Sequence, residues 1–315
     1  MAYGMLGHLM WNFQDSMGTS QVTSQHAIPI TEESLVFGID PIVEAGMYGR
    51  LHESPYHEGL HSVNGNIGME AHPIAMGWLL RAALDAPTTT SDTGNQTHVF
   101  KPRTADFDAR AAADPATVEV YRDVGSAGLY YDCFGNTLDI NIANGELVTM
   151  NLGIIGAGWK GNAKATPTFP TAKAFIWDQA SAQFDSKVID VISDLTISIN
   201  NNLEPNYTLT NTKTPFRVKR SAQQMIEISG TFIYEQQSYW QAWEDQLEKS
   251  LVIFIKGQET PYTIKFDIPA FRFKTYEPNM AGAGLVEASF TAGAMYHNNS
   301  ATTMEVTLVN TQTYY

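Results

Sequence analysis

The sequence predicts a mainly β protein, built as two tandem β-sandwich or barrel domains with one α-helix packed on each. Three observations predict this. Short runs that alternate apolar with polar residues dominate the chain, only two segments have helical spacing, and a strand followed by a helix occurs twice at a fixed distance. A strand puts successive side chains on opposite faces, so a period of two marks a sheet with one face in a core and one in water.

In chain order, GNIGME at 65–70 is the first strand of the repeated kind, and residues 73–85 follow it with helical spacing around Trp78. Residues 86–116 are rich in Thr, Asp and Ala and are broken by Pro87, Pro102 and Pro115, which reads as a long surface insertion. LDINI at 138–142, LTISI at 195–199 and IEISGTF at 226–232 each alternate as half-buried strands do. Residues 236–249 set Tyr239, Trp240, Trp243 and Leu247 on one helical face.

The internal echo carries most of the domain argument. GNIGME at 65–70 matches GTFIYE at 230–235, and Trp78 matches Trp243, all at an offset of 165 residues. Leu147, Val148 and Leu152 match Leu285, Val286 and Phe290 at an offset of 138. The shorter offset means that the first half holds a surplus, which is assigned to 86–116. Between the halves, GAGWKGNAKATPTFP at 156–170 is broken by three glycines and two prolines. The expected domains are therefore 1–158, carrying the insertion, and 159–315, and neighbouring halves can pair their open sheet edges.

Composition narrows the function. The 315 residues are 43% hydrophobic and 17% charged, which fits a globular chain long enough for a sizeable core. Nineteen basic against 33 acidic residues give −14, which argues against a wrapping contact with nucleic-acid phosphates. The excess is uneven: residues 1–158 hold 6 basic and 18 acidic residues, while 159–315 hold 13 and 15. Cys133 is the lone cysteine, so an intrachain disulfide and a cysteine zinc cluster are both excluded. The amino terminus lacks the charged and apolar regions of a signal peptide, and residues 76–84 are too short and too polar at Arg81 to cross a membrane.

Two motifs would imply an enzyme. His57-Glu58-Gly59-Leu60-His61 fits the HExxH pattern, which binds zinc only when a helix brings both imidazoles to one face. Pro55 and Gly59 oppose a helix there, no third ligand stands at a usual spacing, and a solvated histidine cluster is the expected reading. Gly156-Ala-Gly-Trp-Lys-Gly161 fits the dinucleotide-binding glycine pattern, which needs a helix next to receive the pyrophosphate. NAKATPTFP follows instead, so no cofactor, metal or catalytic residue is assigned. Trp240 and Trp243 could stack on a sugar, but aromatics at helical spacing belong more often to a core.

ITEESLVFGID, GNIGMEAHPIAMGWLL, VEVYRDVGSAGLYYDCFGNTLDINIANGELVTMNLGIIG, LTISINNNLEPNY and SGTFIYE together resemble the strand and helix blocks of siphophage tail tube proteins, from about residue 30 to about residue 296. These blocks carry packing and no chemistry. The resemblance implies a non-enzymatic major tail tube subunit in the virion tail, made in the host bacterial cytoplasm. It implies stacked rings of six tube domains, whose inner strands join into one barrel through which DNA passes without specific binding. Two domains per chain then give a pseudo-hexameric ring of three copies, with other phage tail proteins at its ends. Another virion part (a tail terminator, baseplate or decoration protein) is the alternative, with a zinc peptidase behind it. The insertion is the expected contact between rings, mobile before assembly, through Phe100, Lys101, Arg103, Asp106 and Phe107.

Overall fold

The computed structural model describes residues 3–19, 25–47, 49, 52, 56–104, 115–280 and 284–315. It is mainly antiparallel β. The first half runs β1 (His8–Phe13), β2 (His26–Ile28), β3 (Glu32–Glu33), β4 (Val36–Val43), β5 (Tyr56–Glu70), α1 (Met76–Ala83), β6 (Thr88–Asp92), β7 (Asn95–Phe100), β8 (Ala116–Tyr121), β9 (Ala127–Ala143), β10 (Thr149–Gly156) and β11 (Gly158–Asn162). The second runs β12 (Ala180–Phe184), β13 (Lys187–Ile189), β14 (Ile192–Asn200), β15 (Leu203–Asn206), β16 (Arg217–Arg220), β17 (Met225–Ile233), α2 (Ser238–Glu244), β18 (Lys249–Lys256), β19 (Thr263–Asn279), β20 (Glu287–Ala294) and β21 (Glu305–Asn310).

The two halves are wired alike. In the first, β2 pairs β1, β1 pairs β8, β8 pairs β9, β9 pairs β10, β10 pairs β5, and β5 pairs β4. In the second, β13, β12, β18, β19, β20, β17 and β14 follow in the same sequence of partners. Even the irregularities recur. β9 bulges against β10 next to Gly153 and Ile154, and β19 bulges against β20 between Phe273 and Thr275, at matching places in the ladder. A bulge sharpens local twist and re-aims the strand, so repeating it repeats the curvature of the sheet.

One register differs. Ile67 stands opposite Leu152, whereas Gly230 stands opposite Phe290. The echo pairs Gly230 with Gly65, so the β4–β5 hairpin sits two residues along β10 from where β14–β17 sits along β20. A slip of two keeps every side chain on its own face, and the core tolerates it.

Each helix covers the strand that its twin covers. α1 lies on β9, where a Cβ at Gly135 would meet the Ala82 carbonyl, and Trp78 stacks on His26 at 4.0 Å. α2 lies on β19, with Trp243 Nε1 donating to the Lys274 carbonyl at 3.2 Å. It is shorter than the helical spacing predicts. Gln246 takes φ 51° while Leu247 N–H bonds the Ala242 carbonyl and Gln246 N–H that of Trp243, a C-terminal cap that leaves Leu247 46% exposed and off the helical face. The alternating residues do form the core, with Leu138, Ile140, Ile197, Ile199, Ile228 and Phe232 fully or almost fully buried.

The insertion begins as structure. Residues 88–100 form the β6–β7 hairpin, and β7 pairs with β21 of the second half, Leu308 opposite His98. The expected boundary at 158/159 likewise meets the start of β11, which pairs with β9 through Asn162.

Candidate assembly interface

Eight strands form one continuous antiparallel run in the order β4, β5, β10, β9, β14, β17, β20, β19. One face carries the core residues Val63, Ile67, Leu152, Ile140, Ile197, Ile228 and Phe290. The other face carries amides, hydroxyls and acids: Asn64, Asn66, Asn151, Thr137, Asp139, Asn141, Asp194, Thr196, Ser198, Glu227, Ser229, Thr231, Glu277, Glu287 and Ser289 are all exposed or half-buried. Lys274 on that face is paired with Glu227.

The run crosses from one half to the other at β9 and β14. Leu195 stands opposite Ile142, Ile197 opposite Ile140 and Ile199 opposite Leu138. Asn144 N–H donates to the Ser193 carbonyl at 3.2 Å, and Asn201 N–H to the Asn136 carbonyl at 2.8 Å, so the odd residues of β14 turn their backbone groups to β9. Asn201 Nδ2 donates to the carbonyls of Ala83 and Gly135, which fastens the end of the joint beneath α1. Beyond it the β15–β16 arm reaches over the first half. Tyr207 donates its hydroxyl proton to the His61 carbonyl at 2.8 Å, His61 N–H donates to the Lys213 carbonyl, and Lys213 pairs with Glu58. The Lys213 ammonium and the His61 ring hold the Glu58 carboxyl below its ordinary range.

The same two strand types reappear at the ends of the run, without that partnering among the described residues. β4 is the counterpart of β14, and 275–279 of β19 are the counterpart of 137–141 of β9. Where Leu195, Ile197 and Ile199 are all buried, their counterparts run from the buried Leu35 through the half-buried Phe37 to Ile39, 46% exposed, and beyond Tyr276 the residues of β19 through Met280 are exposed. The profile of the phage tail tube protein family matches residues 14–294. The chain belongs to that family. It is a structural protein of the bacteriophage tail tube, of a family that is not enzymatic. No curated protein matches it.

In the tail tube protein, the residues singled out in the insertion lie as follows. Phe100 is fully buried in the core, opposite Val306, and this corrects its expected place on an exposed contact loop: the β7–β21 ladder turns it inward. Lys101 lies at the surface with its ammonium 3.0 Å from Glu305, and Arg103 is buried against Asp85 at 3.1 Å. Asp106 and Phe107 fall outside the described residues.

The two enzyme-like motifs are extended backbone. His57 and His61 both lie on β5, where four residues span on the order of 13 Å, beyond the reach of one shared ion. His57 Nε2 lies 2.8 Å from Glu44 and His61 Nε2 2.7 Å from Glu58. Among the described residues no group of three His, Cys, Asp or Glu could hold a metal ion. In the glycine-rich run, a Cβ at Gly158 would strike the Tyr131 ring and one at Gly156 would press on Cys133, so these glycines admit close packing at the β10–β11 bend. Among the described residues no helix is long and apolar enough to cross a membrane. Sequence reasoning expected open edges but did not identify the strands that form them. Their signal was present in the apolar residues of 36–43, whose exposure only the ladder reveals.

Proposed function

We propose that copies of this chain polymerise into stacked rings that form the DNA-conducting tail tube of a long-tailed phage, three copies to a ring. The observation that carries this is the β9–β14 joint: one chain already contains a side-by-side junction of two like-wired units, and the strands that would make the next junction have no further strand partner among the described residues at either end of the run. Each half then acts as one tube domain, with a boundary near residue 158, and threefold symmetry gives six domains around the axis. Closing the ring removes the open edges that otherwise invite misassembly.

The polar face of the eight-strand run lines the channel in this reading. Asp139, Asp194, Glu277 and Glu287 repel phosphate while hydroxyls and amides give DNA nothing to grip, so the duplex passes without specific binding. Lys101 and Arg103, with Asp106 and Phe107 beyond the described residues, remain proposed for the contact between rings. Other tail proteins cap the tube. Electron microscopy of the purified protein tests the reading: rings or tubes whose averaged cross-section is threefold support it, and a particle that stays a monomer or a single ring points instead to a terminator, baseplate or decoration protein.

A further inference from the structure

From the chain's own internal junction we infer the register of the junction between copies: residues 36–40 of β4 lie antiparallel to residues 275–279 of β19 of a neighbouring copy, Val36 opposite Asn279 and Phe37 opposite Pro278. This rests on the ring reading above and specifies which edges meet and how.

The register follows from two equivalences. SLVFGID at 34–40 matches DLTISIN at 194–200, with Gly65 and Gly230 each crowding the backbone opposite, Ser34 in one case and Asp194 in the other. Leu35 therefore stands for Leu195. The matching bulges make Leu138 the counterpart of Tyr276, since each faces its twin core residue, Leu152 or Phe290. With the hairpins superposed, transferring the pairs of the internal junction gives Ile39 opposite Tyr276, Phe37 opposite Pro278 and Val36 opposite Asn279. Superposing β10 on β20 instead would carry the two-residue slip outward and set Val36 opposite Glu277.

The backbone independently supports the parity of this register, which a slip of two would leave unchanged. Ser34 N–H donates to the Asn66 carbonyl at 2.9 Å, so even residues of β4 turn their backbone groups to β5 and odd ones to the open edge. Odd residues of β14 are the ones that face β9. Leu35 obeys the rule, its carbonyl accepting from Arg122 and Tyr130 instead of from a strand. The even residues Asn136 and Asn144 of the first half face β14, which places Pro278 with its missing N–H at the open edge of β19, where an isolated sheet tolerates proline.

Val36 and Asn279 then form a non-hydrogen-bonded pair, whose close Cβ atoms suit a disulfide. Cys133 is fully buried with its thiol pushed up by burial, so it adds little background. The test is oxidation of assembled V36C/N279C protein beside a slipped control, V36C/E277C. Covalent dimers and trimers at least tenfold more abundant in the first variant are expected. More bonding in the control, or closure within a single chain, overturns the register. Should the variants not assemble, an averaged map of unmodified tubes decides: a strand other than 275–279 beside β4 sinks the register while a threefold ring leaves the ring reading standing, and the absence of rings sinks both.

Discussion

The junction inside the chain and the junction proposed between copies use like strands, yet they are built to different strengths. Inside, Ser193, Leu195, Ile197, Ile199 and Asn201 all turn backbone groups toward β9, a network under α1 secures one end, and the β15–β16 arm clamps Glu58 through Lys213. At the outer edge Leu35 has already given its carbonyl to Arg122 and Tyr130, and Pro278 has no N–H. In the proposed ring, one of every two junctions is thus a permanent part of the fold and the other is the weaker one.

The sharpest way to break this comparison is a charge in each junction. Ile199 is almost fully buried, and Ile199→Asp would bury an unpaired carboxylate opposite Leu138, costing on the order of 4 kcal/mol or more and removing the folded protein at ordinary temperature. Ile39→Asp puts the same charge at the half-exposed counterpart. Its melting should stay within about 0.5 kcal/mol of the parent, while rings and tubes disappear from micrographs. Equal loss of stability in both variants would show that the outer edge is not a mere edge.

A second comparison sets the aromatic clusters of the halves side by side. Phe232 is fully buried, stacked on Tyr239 at 4.9 Å and in contact with Phe290, so Phe232→Ala should cost about 3–5 kcal/mol in chemical denaturation. In the first half, Gly77 has the Tyr315 ring where a Cβ would go, and Gly77→Ala must shift that ring for about 1–3 kcal/mol. A larger effect from Gly77→Ala would make the first half's helix seat the more rigid of the two.

These expectations separate what residue patterns disclose from what only the folded ladder does. Alternation placed Leu138, Leu195 and Ile226 in strands and on the buried face, because a half-buried sheet leaves a period of two that one sequence displays. The echo at 165 residues disclosed the duplicated strand and helix. It could not disclose the two-residue slip against β10, since a slip of two preserves the alternation that the sequence shows. The hairpin of β6 and β7 was hidden for another reason. Thr88, Thr89 and Thr90 look solvated when taken alone, and their strand conformation depends on β21, more than 200 residues away. Phe100 was misplaced by the same omission.

Acid distinguishes the body of the protein from its arm. Burial holds His8, His26 and His98 below the ordinary histidine value of 6.5. A depressed imidazole binds its proton more readily when unfolded, so its stabilisation is present above pH 6.5 and declines as pH falls through that value toward the folded one. The melting temperature should drop on going from pH 7.5 to about 5.5, and His98→Gln should reduce the drop. The Glu58 contact changes lower down. Its carboxyl is held below 4.5, so the contact persists above that value and is lost as pH falls through the depressed one, loosening the β15–β16 arm with little change in melting. Hydrogen exchange at 203–220, measured with and without Glu58→Gln, would register this, and an arm equally protected at every pH would remove the clamp from the comparison.

The smallest effect expected concerns the proline at the outer edge. In the inferred register Phe37 C=O meets Pro278, which cannot donate, so Pro278→Thr restores one ladder hydrogen bond in each junction between copies while leaving the free subunit's core untouched. A net hydrogen bond contributes about 1 kcal/mol, or roughly a fivefold gain in association per junction. The gain should appear as a roughly fivefold lower protein concentration for assembly, read by light scattering, with melting of the free subunit unchanged. Threonine also suits a strand better than proline does, so some of the gain could come from straightening β19; Pro278→Gly, which restores the N–H with a poor strand former, separates the two. Assembly promoted by both residues assigns the effect to the hydrogen bond, and assembly promoted by threonine alone assigns it to strand propensity. If neither helps, residue 278 lies outside the junction and the weaker outer edge needs another cause.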